Sequence, residues 1–277
     1  MSNFGGVGMN TNGNGGKLVS MTPITDAQML RVAPSIFAQE AHDSRSDRYT
    51  YIPTIDILNG LRKEGFLPFT VAQSRTRDVS KREFTKHMIR LRRASEMKMG
   101  EDCFEIVLVN SHDGTSSYQM MAGIFRLVCS NGLVVGDICD DIRVHHKGNI
   151  KDDVIEAAYT ILDDSQLVLE SKQEMQGVKL LPPERKVFAE AAMQLKYEDE
   201  KPFSAEKLLQ RRRYEEGDGS LWNTFNTVQE NLIKGGIRGY SANGNRIRSR
   251  EIKGIDQDIK LNKALWTLAS EMAKLKV

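Results

Sequence analysis

Short β-type segments separated by turn dipeptides occupy the middle of the chain, and this pattern restricts the fold more than any other feature. Asp113-Gly114 and Asn131-Gly132 favour two-residue hairpin turns, because glycine readily adopts the positive φ angles that these turns require. The segments around them have the composition of strands. The sequence therefore predicts a central antiparallel β-meander from about residue 66 to residue 147. The segments predicted as strands are 66–77, 84–93, 105–110, 118–128, 133–135 and 142–146. Residues 84–93 also fit a helix through Phe84, Met88 and Leu91, but the strand that follows them favours a strand.

The rest of the chain has the apolar spacing of helices. From Asp152 the period becomes helical and continues as far as Met175, which predicts a long helix directly after the sheet. The predicted fold class is α+β with a β-β-β-α core, and the C-terminal third is expected to be helical. The segments predicted as helices are 25–37, 55–64, 152–175, 185–195, 205–213, 221–233 and 255–275.

Glycine content separates a tail from a folded domain. Residues 1–19 are rich in Gly and Asn and are expected to form a flexible tail. We expect a single α+β domain over 20–277, with a sheet core at about 66–178 and a helical region at 182–277. A Gly- and Arg-rich loop, 235–253, interrupts the helical region, and loops of this length in compact domains are usually functional or disordered.

The composition of the 277 residues, 40% hydrophobic and 27% charged, is that of a globular protein with a full-sized core. No apolar run approaches the roughly 20 residues that cross a bilayer, and the N-terminus lacks the features of a secretory signal. Cys103, Cys129 and Cys139 have neither CxxC nor zinc-site spacing, so we expect them to be core residues. These features predict a cytoplasmic protein without a membrane segment or a cofactor.

Candidate metal ligands are few. His112, Asp113 and His145 lie at predicted strand ends, and if folding brings them together they form a candidate metal site. Asp113 is better explained by its Asp-Gly turn, however, and one histidine at each strand end requires no metal. No Gly-x-Ser-x-Gly motif occurs and no cysteine has an adjacent histidine, so catalytic residues are not predicted.

The net charge of +2 conceals two basic blocks and one acidic block. Residues 73–98 carry nine basic against three acidic side chains, and residues 234–253 carry six basic against one acidic. Residues 137–170 carry nine acidic against three basic. Most of the basic residues are arginines, whose planar guanidinium suits phosphate and stacks on bases. One interpretation is a surface that binds a polyanion, and the other is a solvated surface with charges of both signs.

Alternating arginines occur in both basic blocks. Arg90 and Arg92 share one face of a predicted strand, and Arg246, Arg248 and Arg250 project to one side of an extended loop at intervals of about 6.6 Å. That spacing is close to the distance between phosphates of a stretched single strand. We expect both sets to line one groove that tracks a nucleic-acid backbone; alternatively, Arg90 or Arg92 pairs with a carboxylate within the fold. The candidate nucleic-acid-binding residues are Lys86, Arg90, Arg92, Arg93, Arg238, Arg246, Arg248 and Arg250.

Several segments resemble a family of phage- and plasmid-encoded bacterial proteins that is catalogued as a domain of unknown function. The resemblance extends over roughly 49–273 and implies no activity and no catalytic residues. The segments that carry it are Lys86-His87-Met88-Ile89-Arg90-Leu91-Arg92, Asn110-Ser111-His112-Asp113-Gly114-Thr115, residues 122–133, residues 221–231 and Leu261-Asn262-Lys263-Ala264-Leu265-Trp266.

A second resemblance is architectural. Three antiparallel strands and a long helix over about 104–175 are similar to the core of the Rad52-type and Redβ-type annealing proteins, which form rings or filaments around single-stranded DNA. This implies a single-stranded DNA binding or annealing protein of a phage or plasmid, acting in recombination as a homo-oligomer without chemical catalysis. The open edges of a meander also favour self-association. The alternatives are a metal-dependent nucleic-acid-processing enzyme of a mobile element and a protein-binding counter-defence factor.

Overall fold

The computed structural model describes residues 16–45, 51–93, 102–126, 131–136, 142–144, 150–198, 201–212, 218–241 and 243–276. The chain divides into two compact units. The first comprises Met1–Leu133 and Cys139–Ser165, and the second comprises Val134–Ile138 and Gln166–Val277. The prediction of a single domain over 20–277 stays a prediction, because compactness alone does not show whether the two units fold independently.

An antiparallel sheet is the main element of the first unit. Its strands within the described residues are β1 (Lys17–Val19), β2 (Phe66–Gln73), β3 (His87–Arg93), β4 (Cys103–Asn110), β5 (Tyr118–Arg126), β6 (Asn131–Val134) and β7 (Ile142–Val144). Strands β1 to β6 are neighbours in chain order, and β7 pairs with β5. The pairs from β1 through β5 are antiparallel, as is the pair of β5 with β7. This order confirms the predicted antiparallel sheet.

The first strand corrects the predicted tail. Residues 1–15 lie outside the described residues, but Lys17–Val19 pairs with β2, so the prediction of a flexible tail to residue 19 is wrong for these three residues. Leu18 lies opposite Val71 and is buried, and the backbone N–H of Ser20 donates to the carbonyl of Phe69. The apolar contact and the backbone hydrogen bonds together offset the entropy lost on ordering this segment.

Three helices accompany the sheet in the first unit: α1 (Asp26–Val32), α2 (Thr54–Lys63) and α3 (Ile150–Asp163). Helix α1 begins at a capping box in which Thr25 and Gln28 satisfy each other's backbone N–H groups. Helices α1 and α2 contact β2, and α3 contacts β5. The buried apolar side chains of α2 therefore complete a core against the sheet.

The long helix predicted over 152–175 is interrupted. Helix α3 ends at Asp163 and α4 (Ser165–Gly177) begins two residues later, with Asp164 between them in a turn. Asp and Ser side chains bind nearby backbone groups and so disfavour helix interiors. The Asp163-Asp164-Ser165 sequence accounts for the break.

Helices dominate the second unit, which confirms the predicted helical C-terminal third. They are α4, α5 (Pro182–Tyr197), α6 (Ala205–Leu208), α7 (Leu221–Lys234) and α8 (Ile255–Lys274). Trp222, Phe225 and Trp266 form an aromatic core, with ring centroids 5.7–6.3 Å apart. Both tryptophans of the chain therefore lie in this unit. No helix in the described part of the chain combines the length and apolar composition needed to cross a membrane.

The predicted loop 235–253 contains a short antiparallel hairpin, whose strands are β8 (Arg238–Tyr240) and β9 (Arg246–Arg248). Gly235 connects α7 to this segment with a φ of 62°. A Cβ at this position would lie 2.7 Å from the backbone of Arg250, so both the backbone angle and the close approach favour glycine.

Candidate nucleic-acid interface

Arg90 and Arg92 are buried, and the structure corrects the prediction that they line an open groove. Their side chains are 3% and 0% exposed, and both bind the fully buried carboxylate of Glu105. Arg90 Nη1 lies 3.0 Å from Oε2, and Arg92 Nε lies 2.7 Å from Oε1. The guanidinium of Arg92 also lies over the ring of Phe125, 3.4 Å from its centroid. The alternative interpretation, pairing with a carboxylate within the fold, is confirmed.

Lys86 and Arg93, the other two candidate residues at or beside β3, are less buried than Arg90 and Arg92. Lys86 and Arg93 are half-buried. The Arg93 guanidinium lies over the Phe66 ring, 4.9 Å from its centroid, in a cation–π contact. Their contact with nucleic acid stays a prediction.

The candidate metal ligands are accounted for by other roles where the structure describes them. The Asp113 carboxylate accepts hydrogen bonds from the Thr115 backbone N–H at 3.0 Å and from its hydroxyl at 2.6 Å, and Gly114 has a φ of 76°. Asp113 is therefore a turn residue. His112 is buried inside the first unit, and His145 lies outside the described residues. Among the residues that the structure describes, no group of three or more His, Cys, Asp and Glu side chains is placed to hold a metal.

A buried hydrogen-bond network surrounds His112, and the sequence analysis did not foresee it. The hydroxyl of Thr54 on α2 lies 2.9 Å from His87 Nε2 and 3.1 Å from His112 Nε2, and it accepts a hydrogen bond from the Asn110 amide at 3.0 Å. The other ring nitrogen of His87 lies 2.9 Å from the Ser35 hydroxyl. Burial lowers the pKa of His87 to about 4, so the ring is neutral at pH 7. The network joins α2 to β3 and β4.

Cys103 is the one cysteine that the described residues include, and its buried position agrees with the prediction of a core residue. Burial raises the pKa of its thiol to about 11, so the thiol is protonated at neutral pH and is not a nucleophile.

A cluster of exposed arginines in the second unit lies on the β8–β9 hairpin. Arg238 lies directly opposite Arg248, and Tyr240 lies opposite Arg246, so these four side chains share one face of the two-stranded ribbon. All four are exposed, and Tyr240 is 57% exposed. We call these four residues the arginine face. Arg250, just beyond β9, is exposed as well.

Like charges that oppose each other across two strands destabilise a ribbon unless an anion compensates them. The guanidinium of Arg248 donates to the carbonyl of Gly236 at 2.9 Å. Within the described residues, none of the ion pairs formed by acidic side chains involves the arginines of this face. The arginine face is therefore a concentrated positive charge that faces solvent.

The opposite side of β8 packs on the segment that precedes α6. The backbone N–H of Tyr240 donates to the carbonyl of Pro202 at 2.8 Å, and Lys207 Nζ donates to the carbonyl of Arg238 at 2.9 Å. A Cβ at Gly239 would lie 1.9 Å from the Pro202 oxygen, so this strand position requires glycine. These contacts fix the orientation of the arginine face.

The base of the hairpin is anchored by two cations, the half-buried Lys196 and the exposed Arg212. Lys196 Nζ donates to the carbonyls of Leu232 at 2.6 Å and Arg250 at 3.1 Å, and Arg212 donates to the carbonyl of Gly235 at 2.6 Å. Burial lowers the pKa of Lys196 to about 8. These bonds satisfy carbonyls around the end of α7 and hold the hairpin in place.

Comparison with known proteins identifies the family. The family model described as a domain of unknown function, DUF932, matches residues 41–266. The chain belongs to the DUF932 family. Two relatives, UPF0380 protein YfjQ and UPF0380 protein YafZ from Escherichia coli (strain K12), are each 47% identical over 251 residues, which is 90% of this chain and 92% of the relative.

Membership of the DUF932 family confirms the first resemblance drawn from the sequence. No solved structure matches the chain. The architectural likeness to Rad52-type and Redβ-type proteins therefore stays a hypothesis. The region that matches DUF932 includes both the Glu105 ion-pair cluster and the arginine face.

Proposed function

We propose that this chain binds single-stranded DNA through the arginine face. The observation that carries the proposal is the alignment of Arg238, Arg246 and Arg248 beside Tyr240 on one exposed side of a fixed hairpin. Guanidinium groups bind phosphate oxygens in a bidentate manner, and an exposed aromatic ring offers a surface on which a base stacks. Arg250 extends the positive charge beyond the strand.

The biological role in this proposal is strand annealing in the recombination of a phage or plasmid, in the cytoplasm. Contacts to phosphate position a strand without reading its sequence, so the bases stay available for pairing. The proposal includes a homo-oligomer, a ring or filament, because an edge strand such as β1 has backbone groups that a neighbouring copy can pair with. Neither chemical catalysis nor a cofactor is part of it.

Removing the charge of the arginine face tests the proposal. We expect the triple variant Arg238→Gln, Arg246→Gln, Arg248→Gln to bind a single-stranded oligonucleotide about 30-fold more weakly at low salt. The slope of the logarithm of the affinity against the logarithm of the salt concentration is expected to become shallower by about 2. Each phosphate contact on a single strand contributes about 0.7 to this slope, and three contacts are lost. Fluorescence anisotropy at several salt concentrations, with EDTA present, measures both quantities.

A matched control removes the same charge elsewhere in the second unit. Lys179, Lys260 and Lys274 are exposed and lie outside the arginine face, and their simultaneous change to Gln should leave affinity within about twofold. If the arginine variant melts at the parental temperature and binds like the parent, the proposal is wrong. Strand cleavage that EDTA abolishes would instead support the metal-dependent alternative.

A further inference from the structure

A groove lies beside the arginine face in the second unit. It has a volume of about 420 Å³, within the size range of small-molecule sites, which is about 300–1,000 Å³. Its lining combines apolar surface from Met193, Pro202 and Phe203 with charged side chains along the walls. The charged lining residues are Lys186, Glu190, Lys201, Glu206 and Lys207.

Tyr240 belongs to both the groove and the arginine face. Tyr240 is among the residues that line the groove, and its side chain stands beside Arg246 on the exposed side of the hairpin. The bond from its backbone N–H to Pro202 fixes the strand that carries it against one wall. A strand whose phosphates lie on the arginines therefore reaches the groove at Tyr240, the residue that the two share.

The lining matches the chemistry of a nucleobase. Apolar floor residues and an aromatic rim accept the flat faces of a base, and the charged walls offer donors and acceptors for its polar edge. Lys186 and Glu206 form an ion pair at 3.1 Å, and the remaining Lys201 and Lys207 outnumber Glu190, so the lining has a small net positive charge. Bases of a duplex are stacked and paired inside the helix, so only an unpaired base can enter.

We propose that this groove receives one unstacked base of the bound strand, with Tyr240 stacked on it, and that this contact makes the protein selective for single strands. The inference rests on the proposed function, because the phosphates on the arginine face bring the base to the groove. Entry of a base adds a contact that a duplex cannot make.

The test compares strands that have the same phosphates but differ in their bases. Oligothymidylate is expected to bind the parent protein about tenfold more tightly than an abasic strand of equal length, because base stacking on an aromatic side chain strengthens binding. Tyr240→Ala should reduce the affinity for oligothymidylate to that for the abasic strand, and Tyr240→Phe should restore it. The salt dependence should be unchanged in Tyr240→Ala, since no phosphate contact is removed.

Ile247→Ala provides the matched control. Ile247 is 38% exposed on the same hairpin but alternates to the other side of β9, so its loss should leave the preference for bases unchanged. Equal affinity of the parent for the two strands, with a normal salt dependence, would overturn the groove inference and leave the proposed function standing. Absence of binding to either strand would overturn both.

Discussion

Replacing Glu105 with Gln is expected to lower the free energy of unfolding by about 3–5 kcal/mol, because the change removes a buried carboxylate that binds two buried guanidinium groups. Arg90 and Arg92 both bind it, and all three side chains are shielded from water. Water cannot replace the lost charge at such depth, and the remaining like charges repel each other at low effective dielectric constant. The amide of Gln keeps the volume of the side chain, so the loss reports on charge rather than on a cavity.

Urea denaturation followed by circular dichroism measures this effect. The control variant Asp26→Asn breaks the Arg62–Asp26 pair, whose side chains are 22% and 56% exposed, and should cost less than about 1 kcal/mol. If the two variants lose similar amounts of stability, the Glu105 cluster is not the buried charge centre of the sheet.

Acidification from pH 7.5 to pH 4.5 is expected to reduce the free energy of unfolding by about 2.5 kcal/mol through His87 alone. Burial lowers the pKa of this residue from 6.5 to about 4 in the folded state. Between these two values the unfolded chain binds a proton that the folded chain does not, so stability falls as the pH drops below 6.5. The His87 contribution levels off below about pH 4 and is constant above pH 6.5.

The variant His87→Gln isolates this contribution. The Gln side chain retains groups that can hydrogen-bond to Ser35 and Thr54 but has no ionisable ring. Between pH 7.5 and pH 4.5, the variant should therefore lose about 2.5 kcal/mol less free energy of unfolding than the parent does. Carboxylates titrate alike in both proteins and cancel in the comparison. Parallel pH dependences for the two proteins would show that His87 is protonated equally in the folded and unfolded states.

The sheet was predictable because its signals are local. Turn dipeptides such as Asp113-Gly114 and alternating apolar residues act through neighbouring backbone geometry, and the antiparallel sheet that they predict is observed. The prediction of a turn at Asn131-Gly132 is wrong, because these residues begin strand β6, and β7 pairs with β5 outside the consecutive order. The break at Asp164 was missed because helical spacing continues across it, while a single turn residue changes the backbone path.

The burial of Arg90 and Arg92 was not decided by the sequence. Alternation shows that two residues share a face of a strand, but it does not show whether that face is covered. Glu105 was the available signal: it is the only charged residue of the otherwise apolar or amide-bearing strand Cys103–Asn110, and a lone carboxylate in such a strand needs a cationic partner.

The candidate interface was predicted in part. The alternation of Arg246, Arg248 and Arg250 in the chain indicated one face. The hairpin places Arg246 and Arg248 on it, whereas Arg250 lies beyond the end of β9. The position of Tyr240 beside Arg246 depends on the pairing register of β8 and β9. The turn between the two strands sets this register, and composition does not reveal it. Gly239 likewise acquires its importance only from the approach of Pro202.

The location of Trp222 and Trp266 gives the chain an optical reporter that is confined to one unit. Their emission follows the packing of the helical unit, while the sheet of the first unit contains no tryptophan. Tryptophan emission therefore reports on the helical unit alone, whereas circular dichroism reports on the backbone of both units during denaturation. In Glu105→Gln, a shift of the dichroism transition without a shift in emission would mean that the sheet unfolds by itself. Coincident shifts would mean that the two units unfold cooperatively.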